Sequence, residues 1–177
     1  MSKTVVEYTA RRITYETTLP IDEVTTRLDQ ETNRSAGGPE VFRILRASNS
    51  KAEIEEAFTS LTARSGFVYF MDMAYHGWLS RYKGEAVPKA HVYVIGNPLF
   101  AANIVPHDFA SANHIPPRMV IYEIAPGSGT RVVWDDLASI VSVPQAPNAV
   151  VNPQLRAAAE DVAAKLEVLV QKITRVD

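Results

Sequence analysis

The feature that most constrains the fold of this chain is an unbroken apolar stripe near its carboxy terminus. Leu155, Ala159, Val162, Leu166, Leu169 and Ile173 step by four and three residues alternately, which puts all six on one side of an α-helix. Asn152 is a residue type that accepts from free amides at a helix start, and Pro153 supplies a pre-set φ at the first helical position. At 1.5 Å per residue the rod from 152 to 174 is about 33 Å long. A rod with one apolar face needs a partner surface of similar length.

The rest of the chain reads as the elements of that surface. Residues 4–18, rich in Val, Tyr, Thr and Ile, predict one strand, and others are predicted from Phe67, over 89–95, over 118–124 and over 130–135. Pro126-Gly127-Ser128-Gly129 reads as the hairpin loop between the last two. Ile21, Val24 and Leu28 give a helix after Pro20, with Asp22 and Glu23 in its positive first turn. Ser50-Lys51-Ala52-Glu53 has the pattern of a capping box, and Ile54, Ala57, Phe58 and Leu61 continue it as a second helix. Ser35-Ala36-Gly37-Gly38-Pro39 is a break, Trp78 to Val87 a polar-aromatic connection, and 142–151 an irregular, proline-punctuated stretch. The expected class is α+β: about five antiparallel strands in a curved sheet packed on helix 152–174, in the order β-α-(α)-β-β-β-β-α. No internal repeat or low-complexity segment is present.

Composition bounds the function classes. A chain of 177 residues with 46% hydrophobic and 21% charged residues is expected to form one domain over 1–177. With no cysteine there is no disulfide and no thiolate metal site, which fits a reducing, cytoplasmic setting. The amino-terminal stretch has no apolar signal-peptide core, and no run approaches about 18 apolar residues, so no membrane partner is expected. A net charge of -2 with the signs interspersed supplies no basic stripe for a nucleic-acid backbone.

Two motifs carry a family resemblance. The strand-like run His91-Val92-Tyr93-Val94-Ile95-Gly96-Asn97-Pro98 breaks into a turn and reads on as a short helix from Leu99 to Val105. The second motif is Ile115-Pro116-Pro117-Arg118-Met119-Val120-Ile121-Tyr122-Glu123, a double proline launching a strand. Together they resemble the uncharacterised family called "domain of unknown function 302", in particular its fungal branch. The likeness spans roughly residues 67 to 174 and, more loosely, the first strand and helix. It implies a TATA-binding-protein-like or helix-grip fold, in which a curved sheet wraps a long carboxy-terminal helix. Bacterial relatives often carry a cysteine just before Asn-Pro; the residue here is Gly96, so no thiol role carries over.

Strand alternation places the candidate ligand site. Arg118, Val120, Tyr122 and Ile124 share one face of their strand, against Met119, Ile121 and Glu123; Thr130, Val132 and Trp134 oppose Arg131, Val133 and Asp135. Taking Glu123, Arg131 and Asp135 as facing water predicts that Val120, Tyr122, Val132 and Trp134 face the long helix. Arg118 would then sit at the rim of an apolar space with the Tyr122 phenol deeper in, an arrangement suited to an amphiphile with an acidic or carbonyl end. The plainer reading has Arg118 reaching solvent. His91 and Tyr93 join the set if their strand has the inward phase. The ligand-binding candidates are thus Arg118, Tyr122, Trp134, His91 and Tyr93.

Other constellations have structural readings. His107, Asp108 and His114 match no closed zinc spacing and read as a polar loop, so no metal site and no cofactor are expected. Tyr69, Tyr75, His76, Trp78 and Tyr82 suit either a pocket mouth and dimer contact or core packing and a covered sheet edge. Asn97 reads as a helix cap rather than an anion site. Three functions fit: a small-molecule binder with its ligand between sheet and helix, an enzyme using Tyr122 or His91 for proton transfer in that space, or a ligand-free structural or regulatory dimer. A homodimer is expected because an open sheet has edges to cover.

Overall fold

The computed structural model describes residues 1–147 and 149–176. Five strands, β1 (Arg12–Thr17), β2 (Val68–Ala74), β3 (Ala90–Gly96), β4 (Arg118–Glu123) and β5 (Thr130–Asp135), form one open sheet in the order β1-β5-β4-β3-β2, every pairing antiparallel. The helices among the described residues are α1 (Ile21–Glu31), α2 (Pro39–Ala47), α3 (Lys51–Leu61), α4 (Tyr75–Lys83), α5 (Pro98–Ile104), α6 (Leu137–Val141) and α7 (Pro153–Thr174). The α+β class, the antiparallel five-stranded sheet and the long final helix are as the sequence led us to expect.

Helix α7 starts as its first residues dictate. Asn152 accepts from the amides of Gln154 and Leu155 at 2.8 and 3.4 Å. Its stripe is fully buried, in one cluster with Ile21, Val24 and Leu28 of α1 and with Tyr93, Ile95, Met119, Ile121, Val132 and Trp134 of the sheet. Each Val, Leu, Ile or Met side chain of this cluster contributes about 1.5–3 kcal/mol by leaving water. A smaller cluster lies on the opposite sheet face, where Val41 and Phe58 from α2 and α3 pack with Val68, Phe70 and Val94. Ser50 caps α3 by accepting from Glu53 N at 3.2 Å, whereas the Glu53 carboxylate reaches one residue further back than a reciprocal box requires, to Asn49 N at 2.8 Å.

The structure corrects four sequence readings. Residues 4–11 are not strand: β5 is six residues long and its ladder pairs only Arg12 to Thr17, while Arg11 is held by Asp136 and Ser139 beyond the end of β5. Residues 39–47 form α2, with Gly38 at positive φ before Pro39 at the first helical position. Residues 75–83 form α4 rather than a connection; Tyr75, Trp78 and Tyr82 have helical spacing, and Gly84 in the left-handed region ends it.

The fourth correction concerns the phase of β4. Met119 pairs with Trp134 and Ile121 with Val132, and all four are buried against the helices. Arg118, Val120 and Tyr122 therefore occupy the other, outer face, opposite Val133 and Arg131. Both faces of β4 are apolar in the middle, so alternation there has two solutions. Glu123, which suggested the wrong one, sits at the end of the inner face, where its carboxylate accepts from the amide of Lys89 at 2.8 Å.

Strand β2 carries a bulge: Tyr69 pairs with Ile95 and Met71 with Val94, leaving Phe70 as an extra residue. Tyr69 and Asp72, three residues apart, consequently fall on the same inner face. The outer edge of β2 is partly covered by the segment after α1, with Tyr69 N donating to Thr32 O and Gly38 N to Tyr69 O, both at 2.8 Å. Gly37 permits that approach, since a Cβ there would lie 2.5 Å from Tyr69 O. Gly96 likewise faces Pro116, whose Cβ would be 2.8 Å from a side chain at that position.

Candidate functional site

Helices α1 and α7 cover the inner face over β1, β5 and β4, and beside α1 the inner face of β3 and β2 carries a polar cluster. Its centre is Asp72. Tyr69 Oη donates to Asp72 Oδ1 at 2.7 Å, Arg34 Nη2 donates to the same oxygen at 2.7 Å, and His91 Nδ1 lies 3.1 Å from Oδ2. A second carboxylate, Asp29 at the end of α1, accepts from Arg34 Nη1 and from Tyr93 Oη, each at 3.2 Å. Arg34 also lies 4.5 Å above the Tyr69 ring centroid.

Local structure explains the convergence. Asn33 at φ 51 turns the chain out of α1, so that Arg34 opens a short 3₁₀ turn facing β2. The bulge aims Tyr69 and Asp72 together, and the inward phase of β3 delivers His91 and Tyr93. Burial would raise the Asp72 pKa, but hydrogen bonds from Tyr69 and His91 and the charge of Arg34 win and hold it below the ordinary carboxylate value. Burial, then the hydrogen bond to Asp72, pushes the Tyr69 phenol up to about 12. Burial and the charge of Asp29 raise Tyr93 as well. Both phenols are thus held as hydrogen-bond donors near neutral pH.

The outer face offers a different environment. Val92, Val120 and Val133 from three adjacent strands form an apolar floor, bounded by Tyr75, Arg118, Tyr122 and Asp135, in an open depression of about 550 Å³. Arg12 donates twice to Asp135, at 2.8 and 3.1 Å. That hydrogen bonding, followed by the charges of Arg12, His114 and Arg118, keeps the Asp135 pKa low against the opposing effect of burial. Arg118 is exposed and acts on Asp135 through its charge, and Tyr122 lies opposite Arg131 across the β4–β5 pairing.

The five sequence candidates therefore divide. Arg118 and Tyr122 lie together on the outer face with Val120 between them. His91 and Tyr93 lie on the inner face in the polar cluster, and Trp134 is buried in the core, 3% exposed and stacked on Tyr15 with ring centroids 5.7 Å apart. Between the middle of the sheet and α7 the side chains pack into one buried cluster, and an open depression of about 600 Å³ between Ile13 of β1 and Ala163 and Glu167 of α7 lies at the sheet edge, away from Arg118 and Tyr122. His91 and Tyr122, the alternatives considered for proton transfer, lie on opposite faces of the sheet.

The cluster members missed by sequence reasoning are Arg34, Asp29 and Asp72. Arg34 and Asp29 carry no periodic signal, and the bulge hides Asp72. Asn97 is the cap it was expected to be, accepting from Leu99 N at 2.8 Å; its amide also donates to Gly66 O at 3.0 Å and to Thr62 Oγ1 at 3.3 Å. Asp108 caps the turn after it through Ala110 N at 2.9 Å. Among the described residues no group of three or more His, Asp or Glu side chains is placed to hold a metal ion, and no helix is long and apolar enough to cross a membrane. The aromatic cluster is also divided: Tyr69 turns inward, while Tyr75 and Trp78 pair on α4 at 5.8 Å.

Among solved structures, the chain is similar to the crystal structure of an uncharacterised conserved protein DUF302 from Bacillus stearothermophilus, with a TM-score of 0.61 at 14% identity over 93% of this chain and 98% of the other. At that identity the likeness speaks for the fold. No curated protein matches the chain. Residues 44–173 match the family described as "domain of unknown function DUF302", a span that takes in α3, β2 to β5 and nearly all of α7. The chain belongs to the DUF302 family.

Proposed function

We propose that this protein binds a small amphiphilic molecule with an acidic end in the depression on the outer sheet face. One observation carries the reading: Arg118 and Tyr122 share the outer face of β4 with the apolar Val92, Val120 and Val133 between and beside them. A guanidinium at the rim would take a carboxylate or similar anion, and the valine floor would take the greasy body. The helix-grip class and the fungal-branch affiliation belong to the same proposal, supported by the long helix under the sheet and by the Asn97-Pro98 and Pro116-Pro117 motifs.

The test is thermal denaturation with fatty-acid-like and aromatic-acid probes. A probe at 100 times its Kd stabilises by about 2.7 kcal/mol, which is about 5–10 °C for a chain of this length. Arg118→Ala should abolish the gain for acidic probes and Tyr122→Phe should reduce it. No gain from any probe, or unchanged gains in both variants, would overturn the proposal.

A second reading is favoured by the exposure of Met71, Met73 and Trp78, each near half exposed beside that depression: the outer face pairs with a second copy. Light scattering would then give twice the 19.5 kDa chain mass without any probe, and Val120→Glu would halve it. A 19.5 kDa particle removes this reading and leaves the first untouched.

A further inference from the structure

We propose that His76 and His91 form a two-imidazole site for a divalent transition-metal ion, separate from the outer-face depression. His91 projects from β3 and His76 from the first turn of α4. Each ring has one nitrogen engaged by the protein: His91 Nδ1 lies 3.1 Å from Asp72 Oδ2, and His76 Nδ1 lies between the carbonyl oxygen of Ala90 at 3.2 Å and the amide of the same residue at 3.3 Å. A carboxylate on one imidazole and a backbone carbonyl on the other are the partners that orient metal-binding histidines, and a bound ion selects the tautomer in which each takes the N–H and Nε2 carries the lone pair, over the one in which His76 Nδ1 accepts from the Ala90 amide. Among the described residues no protein group engages either Nε2.

The spacing of the rings agrees. Their centroids are 5.1 Å apart, with the planes inclined by 53°. A metal–nitrogen bond of about 2.1 Å puts each centroid about 3.2 Å from the ion, so two imidazoles at a tetrahedral angle have centroids about 5.2 Å apart. Asp72 is already oriented on His91 Nδ1 and is held as an anion by Tyr69 and Arg34, which makes it the supporting carboxylate rather than a ligand. Both histidine side chains are partly exposed, so water or a small exogenous ligand completes the coordination.

Two imidazole ligands with open positions suit copper(II), nickel(II) and zinc(II), in an order led by copper, and not magnesium or calcium. Sequence spacing gave no sign of the pair because fourteen intervening residues are folded back by α4.

The experiment is isothermal titration of the tag-free protein with copper(II), zinc(II) and nickel(II) chlorides, with magnesium and calcium as controls. The expected result is one equivalent bound, copper tightest, and no binding of the controls. His76→Ala and His91→Ala should each weaken binding at least tenfold, and Asp72→Asn about ten- to a hundredfold through loss of the orienting carboxylate. His107→Ala/His114→Ala should bind as wild type, and the copper complex should give an electron-spin signal split by two imidazole nitrogens. Absence of saturable binding, wild-type affinity in His76→Ala, or loss of binding in the His107/His114 variant would overturn the proposal. Circular dichroism of each metal-free variant confirms its fold; His76, on a short surface helix, gives the decisive variant if His91→Ala does not fold.

Discussion

Ile121 and Val120 are neighbours on β4 with opposite fates, and exchanging each for alanine tests which face of the sheet meets the helices. Ile121 is fully buried between Val132 and the helical layer, whereas Val120 is 37% exposed on the outer face. Truncating a buried isoleucine removes its transfer free energy and leaves a cavity that α1 and α7 cannot close, at a cost of about 3 kcal/mol within a usual range of about 2–5. Val120→Ala loses only strand preference and partial contact, about 1 kcal/mol or less. At about 2–4 °C per kcal/mol, Ile121→Ala should melt about 6–12 °C below wild type and Val120→Ala within about 4 °C of it. Urea unfolding followed by tryptophan fluorescence gives both free energies, Trp134 reporting from inside the core. If Val120→Ala costs as much as Ile121→Ala, or more, the strand phase described here is wrong and the depression around Arg118 has no basis.

Two further predictions concern polar groups. Asn97→Ala removes a helix cap together with the partner of the Gly66 carbonyl, and should destabilise by about 1–3 kcal/mol in chemical unfolding; a loss below about 0.5 kcal/mol, the size of an ordinary surface change, would refute that dual role. Asp72 has a folded-state pKa below its unfolded value, so its contribution is complete above about pH 4, the unfolded carboxylate range, and is lost as pH falls through the lower folded value. Urea midpoints between pH 2.5 and 6 (about two units either side of that range) should show a shallower acid limb for Asp72→Asn than for wild type, and superimposable limbs would count against the anionic role of Asp72.

Periodicity by itself determined the long helix, because its stripe of six apolar residues has one geometric solution, and the caps at Ser50, Asn97 and Asn152, because these are interactions within a few residues. It also determined the strands flanking the Pro126–Gly129 loop and the α+β class. Periodicity could not choose the face of β4, where Met119 and Ile121 compete with Val120 and Tyr122 as equally apolar sets; only pairing with Trp134 and Val132 decided between them. Nor could it find the polar cluster. Arg34 reaches Asp72 after a left-handed turn at Asn33, and Tyr69 and Asp72 share a face only because Phe70 is an extra residue in the ladder. Local pattern fixes elements whose free energy is local, whereas the phase of a two-sided strand and the meeting of polar groups from four segments depend on contacts that exist only once the sheet is assembled.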